Sequence, residues 1–285
     1  MMQNEQYNAL INDLLEAEKF CLFLGAGFSK QLGFWLWDEL VTEIIEKFEE
    51  EKLTFSDKEH LIRIDKKYAL DYLESLNKNY FYELLDRIYK EKEKNKNTAI
   101  INSMLYILTN EKFKIITTNF DNVLEKQLSI EKVGINPNFD INNKINYIHG
   151  RIDEKDSLIL TQKKYFENYL KKDSELIKFL HDVFQKHVIF FIGYSLSDYE
   201  ILQILNKTKQ NGINRYILLP EYKNNESYIS ILKKIYEDNF NLTLLKYNID
   251  KNGYNALIDY LKELDDALYK KQKSQNTMEE PENAK

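Results

Sequence analysis

A single cysteine, Cys21, stands in the whole sequence. That excludes an intramolecular disulfide framework and any zinc site built from several cysteines. Its place inside an apolar run makes it a buried, inert thiol. Glycine and proline are scarce too, at 8 and 3, so long linkers and low-complexity stretches are excluded and one compact body is expected. Of 40 basic residues only Arg63, Arg87, Arg151 and Arg215 carry a guanidinium. The net charge of −6 is the wrong sign for a binder driven by phosphate neutralisation, and few forks exist to grip phosphates or guanine edges. Direct nucleic-acid binding is therefore not expected. No apolar run nears the roughly 20 residues of a membrane helix, and the polar, amphipathic start lacks the marks of a signal peptide. A cytoplasmic protein without membrane contact is expected.

What is present is enough to build a large core: 43% hydrophobic and 13% aromatic residues over 285 positions. The run Phe20–Leu24 is continuously apolar and ends at Gly25, as a strand buried on both faces of a parallel sheet does. Strand character returns at Phe113–Thr117, Ile145–Ile148, Val188–Ile192, Arg215–Leu219 and Leu242–Tyr247. Helical spacing marks Tyr7–Lys19, Trp37 to about Glu50, Asn122–Leu128, Glu175–Phe184, Glu200–Asn206, Ser227–Asp238 and Ala256–Tyr269. Strands alternating with helices predict an α/β fold with a Rossmann-like, mostly parallel sheet covered by helices. Residues 51 to about 110 hold only helical patterns, Tyr68–Leu76, Tyr80–Tyr89 and Ala99–Leu108, with Lys90–Lys96 as a solvated connection. They are expected to form a helical insertion within one domain of residues 1–270, followed by a disordered polar tail, 271–285.

Four strand ends carry chemistry. Gly25-Ala26-Gly27-Phe28-Ser29 follows the first strand, where glycines let backbone approach a phosphate and amides face an anion. Lys30 stands where the dehydrogenase fingerprint needs its third glycine. Thr117-Thr118-Asn119-Phe120-Asp121 closes the second strand; taken alone, a helix cap explains its Asn and Asp as well. His149-Gly150 ends another strand, and a histidine there can serve as a general base near neutral pH. His60, His181 and His187 have no such setting and are read as structural. Phe190-Phe191-Ile192-Gly193-Tyr194-Ser195 ends a further buried run, with Ser197 or Asp198 as candidate cap of the next helix. In open α/β sheets such loops open into one crevice outside the carboxyl ends of the strands.

Read in order, these motifs resemble the sirtuin superfamily, and more closely its bacterial sirtuin-like branch of NAD-depleting effectors in phage defence, such as those of Thoeris systems. The resemblance rests on the glycine segment 25–29, Gly33 with Trp37-Asp38-Glu39-Leu40, the Thr117–Asp121 segment, Ile148-His149-Gly150, and Phe191–Asp198. Leu160-Thr161 with Tyr165 is a weaker match. It implies that Gly25, Ala26, Gly27 and Ser29 line the diphosphate and ribose of NAD, and that Asp121 holds its loop or touches the cofactor. Gly193, Tyr194 and Ser195 would then meet the adenosine half. Asn119 and His149 would be the catalytic pair at the nicotinamide ribose. The chain departs from deacylating sirtuins in lacking four zinc-binding cysteines and in reading Gly33-Phe34-Trp35-Leu36-Trp37 after the glycine loop. The helical insertion would replace the zinc module, and no metal is expected. NAD hydrolysis is thus implied, with deacyl or ADP-ribosyl transfer, or non-catalytic binding of NAD or ADP-ribose, as alternatives. An enzyme that consumes NAD needs restraint, so control by a homo-oligomer or a separately encoded partner such as an ATPase is expected.

Overall fold

The apolar runs become strands because each is covered on both faces. In the computed structural model, which describes residues 5–49, 53–209 and 212–279, all five residues of β1 (Phe20–Leu24) are buried. Around it lie β2 (Phe113–Thr117), β3 (Val133–Ile135), β4 (Ile145–Tyr147), β5 (Val188–Ile192), β6 (Arg215–Glu221) and β7 (Leu242–Asn248). They form one sheet in the order β3-β4-β2-β1-β5-β6-β7, with parallel pairing throughout. Side chains alternate across it. Phe20, Leu22 and Leu24 join one apolar cluster with Ile115, Tyr147 and Phe190, while Cys21 and Phe23 join the other with Ile116, Ile148 and Phe191. The expected α/β architecture is what forms. From β1 the chain winds outward through β2 to β3, then returns and crosses to β5 on the other side of β1. This reversal at β1 and β5 is a topological switch point, where α/β sheets place their ligands.

Register sets the level at which the loops leave. Leu24 pairs with both Thr117 and Ile192, and Thr117 pairs with Tyr147. Gly25, Thr118, Ile148 and Gly193 therefore emerge together along one edge of the sheet.

Between β1 and β2 the chain is helical, including Phe55–Arg63, Lys66–Leu76, Lys78–Glu93, Ala99–Ser103 and Leu105–Thr109. The structure corrects several boundaries. Lys90–Glu93 is helix and not a connection, since lysine and glutamate are good helix formers and Lys90 pairs with Asp86 one turn back. Strand β3 has three residues and no apolar run to announce it. The last helix continues from Ala256 to Glu279, because its polar stretch holds no glycine or proline to stop it. The tail expected to be disordered is thus helical as far as Glu279, and 280–285 lie outside the described residues. No helix among the described residues is long and apolar enough to cross a membrane.

One buried arginine ties the sheet to its helices. Arg215, at the start of β6, is 1% exposed. Its guanidinium donates to the carbonyls of Phe184, Leu205, Thr208 and Phe240 at 2.7–3.0 Å. These carbonyls lie at the carboxyl ends of helices Glu175–Lys186, Tyr199–Lys207 and Glu226–Phe240, where last-turn oxygens lack partners and the dipole is negative. Burial without a carboxylate pulls its pKa down to about 10.

Candidate active site

The glycines after β1 are required by what crosses them. Gly25 donates its amide to Ile192 O (3.0 Å) and Gly27 to Gly193 O (2.7 Å), so the loop after β1 is stitched onto the loop after β5. A Cβ on Gly25 would sit 2.6 Å from Gly193 O, and one on Gly193 only 2.3 Å from the Phe28 nitrogen. Gly193 also has φ +62°, a left-handed value that costs other residues about 1–2 kcal/mol. The short helix Ala26–Gln31 starts immediately after Gly25. Gly25, Ala26, Gly27 and Gly193 thus meet at the switch point, with the Gly27 amide already engaged.

Asn119 and His149 each lie two residues beyond a register pair, Thr117 and Tyr147, on neighbouring strands. Adjacent strands run about 4.8 Å apart, so the amide and the imidazole start from the same edge at the same level. The Asn119 side chain donates to Gly25 O at 2.9 Å, and its own amide donates to Thr117 Oγ1 at 3.0 Å. The second strand end is thereby fixed to the glycine loop. Ser29 and Asp121 complete the join: the Ser29 hydroxyl donates to Asp121 Oδ2 at 2.5 Å, both residues being buried. Burial raises the Asp121 pKa, and the Ser29 bond opposes the rise. These two side chains face each other, so they hold loops as they stand.

The loop after β5 divides its three residues. Tyr194 is buried, its ring 4.9 Å from Phe23 and 5.8 Å from Phe191. Ser195 is exposed and donates to Ser197 Oγ. Asp198 begins the helix Tyr199–Lys207 but makes no side-chain cap bond. Its carboxylate instead accepts the hydroxyls of Tyr194 (2.7 Å) and Tyr165 (3.2 Å).

His149 is 3% exposed. Its Nε2 lies 2.7 Å from the Tyr169 hydroxyl, and its ring meets Tyr165 and Tyr169 edge-on at 5.4 and 5.9 Å. Burial pushes the imidazole down to about 4, against the Asp198 carboxylate, with the Lys67 charge adding to the fall. The Lys67 ammonium rests 3.6 Å from the centre of the Tyr165 ring. Sequence reasoning misses Tyr169, Asp198 and Lys67 as site residues. Tyr165 and Tyr169 are four apart, a spacing that puts two rings on one helical face, and this is the signal that could have found them. An open cleft lined by Leu108, Lys114, Leu128, Lys132 and Lys144 lies at the opposite, amino ends of β2 and β4 and shares no residue with this site. Among the described residues no group of three His, Cys, Asp or Glu side chains gathers to hold a metal.

Comparisons with known proteins bear on the family and the fold. Residues 114–249 match the family model of the SIR2-like domain, as the motif resemblance implied. The chain is 26% identical over 263 residues to NAD(+) hydrolase ThsA of Cytobacillus dafuensis, covering 84% of this chain and 49% of that protein. It therefore spans about half the length of this curated relative. Among solved structures, a Sir2 homologue in complex with NAD superposes with a TM-score of 0.51 at 12% identity, over 93% of this chain and 94% of that one. A serine-to-alanine variant of a Sir2 homologue with ADP-ribose gives 0.53 at 12% identity, over 93% and 97%. At this identity the superpositions establish a shared fold.

Proposed function

We propose that this chain, whose residues 114–249 carry a SIR2-like domain, binds NAD along the carboxyl edge of its sheet and hydrolyses the nicotinamide–ribose bond. The observation that carries the reading is the joining of four strand ends there. The Asn119 loop and the Gly193 loop are each hydrogen-bonded to the glycine loop, and His149 leaves the neighbouring strand at the same level as Asn119. The relative named as an NAD(+) hydrolase supports the choice of reaction.

In the reaction, the bond from ribose C1′ to the nicotinamide nitrogen breaks and its electron pair leaves with nicotinamide. The leaving group is already a cationic pyridinium, so no strong general acid is needed. An oxocarbenium-like centre remains, as in glycoside cleavage. Asn119 orients the water or the ribose hydroxyls. Water attacks C1′, and His149, neutral at pH 7, accepts the proton. Nicotinamide and ADP-ribose are the products. Gly25, Ala26, Gly27, Ser29 and Asp121 form the diphosphate and ribose side of the site, with Gly193, Tyr194 and Ser195 toward adenosine. We extend the reading to an NAD-depleting effector of anti-phage defence, controlled by self-assembly or by a separately encoded partner such as an ATPase.

The test is release of nicotinamide from NAD by the purified protein. His149→Ala and Asn119→Ala are each expected to slow it by about a hundredfold or more. A wild-type protein that releases none, or folded variants that match its rate, would remove the reading.

A further inference from the structure

His149 as it stands is covered, and its Nε2 is engaged by the Tyr169 hydroxyl. The Tyr169 hydroxyl has one hydrogen-bond partner among the described residues, His149 Nε2. Whichever of the two groups carries the proton, this bond ties up Nε2 and must break before that nitrogen can meet a substrate or a water. Tyr165 stacks on Tyr169 at 5.5 Å and 18° between planes, and the two rings together cover the imidazole. Both belong to a short run, the helix Gln162–Tyr165 followed by a π-turn at Phe166–Leu170. Single π-turns are rare and recur at functional sites.

This run is held lightly on its outer side. Phe166 and Leu170 are 48% and 65% exposed, so its inward grip comes mainly from the two tyrosines. Its polar fastenings are few. Tyr165 donates to Asp198, which also holds Tyr194 on the β5 loop. Lys67 rests on the Tyr165 ring, and the Lys163 amide reaches Asp71. At the ends, Thr161 caps the helix and Ser174 bonds the Asn168 carbonyl.

We propose that Gln162–Leu170 is a lid, shut on His149 by the Tyr169–imidazole and Tyr165–Asp198 hydrogen bonds, and that it must open before NAD is cleaved. The proposal rests on the NAD-hydrolase reading of the same site and supplies the restraint such an enzyme requires. Opening moves the two stacked rings away together, frees Nε2 and clears the space over the imidazole for the nicotinamide ribose.

The lid can be judged without any turnover. Diethyl pyrocarbonate acylates accessible neutral imidazoles, and peptide mass spectrometry reads each of the four histidines separately. In the wild type His149 is expected to react slowly, like buried His187, while exposed His60 reacts fast. Tyr169→Phe and Tyr165→Phe each remove one fastening and keep the ring. Each is expected to speed labelling of His149 several-fold, leave His187 slow, and raise nicotinamide release by a similar factor. Wild-type His149 that labels as fast as His60, or labelling unmoved in both variants, overturns the lid whatever happens to NAD. Faster labelling with a measurable but unchanged release rate also overturns it, because opening would not then gate the reaction. Faster labelling with no nicotinamide from any of the proteins leaves the lid standing and removes the hydrolase reading instead. A variant that exposes His187 as well has lost its fold, and the other variant then decides.

Discussion

His149 links stability to pH as well as carrying the proposed chemistry. An unfolded chain protonates this imidazole near its ordinary value of 6.5, whereas burial in the fold delays protonation to about 4. Between those values the unfolded state binds more protons, so stability increases with pH there. The contribution is fully present above the ordinary value and is lost as pH falls toward the folded one. At pH 5 the loss from this group amounts to about 2 kcal/mol, since each tenfold difference in proton affinity is worth about 1.4 kcal/mol. Urea unfolding at pH 7 and pH 5 should show that extra loss in the wild type and not in His149→Gln. Equal losses in the two proteins would mean that the imidazole is not held neutral by burial. At this scale the candidate residues were legible by their places at strand ends. A glycine pair, an asparagine and a histidine each follow a buried run, and strand ends are where such residues face a ligand. The partners of His149 were not legible. The four-residue spacing of Tyr165 and Tyr169 marks a shared helical face and nothing more, and a tyrosine's hydroxyl partner is set by packing that no local pattern encodes. Asp198 looked like a helix cap for the same reason; the hydroxyls of nearby Tyr194 and distant Tyr165 claimed it instead.

Among the elements, strands buried on both faces were readable because continuous apolar runs have few other uses. β3 escaped because three residues beside β4 at the sheet's edge need no such run. Helix ends were less readable than helix bodies, and Arg215 shows why. The carboxyl ends of three helices are satisfied by one side chain on a strand, so no signal lies at the helix ends themselves. Arg215→Met fills similar space and removes every donor. Each buried carbonyl left without a partner costs about 1–3 kcal/mol, so guanidinium unfolding should register a loss of at least about 3 kcal/mol. Arg215→Lys, with three donors on one ammonium, should fall between the two. A methionine variant as stable as the wild type would show that the arginine is a passenger in an otherwise sufficient core.

For the molecule as a whole, the question is whether the helices between β1 and β2 are a separate unit. Their buried side chains Leu70, Phe81, Leu85, Ile88 and Ile100 belong to the same apolar cluster as Leu22, Ile115 and Ile145 of the sheet and Leu261 and Leu264 of the last helix. A polar clasp reinforces the junction: Asp265 accepts the amides of Ile107 (2.8 Å) and Tyr106 (3.1 Å), at the start of helix Leu105–Thr109. Burial raises the Asp265 pKa while those two amides oppose the rise. A continuous core has no weak plane along which one part can leave first, so a single cooperative transition follows. Trp35 reports on the helical side, since its ring lies 5.5 Å from Tyr89, and far-UV circular dichroism reports on the whole chain. The two signals should share one midpoint in denaturant. Leu85→Ala removes a side chain only 1% exposed and should cost about 2–5 kcal/mol, moving both midpoints together. If the tryptophan signal in that variant moved alone, the helices would be a unit that unfolds by itself, and their motion could open the site independently of the lid.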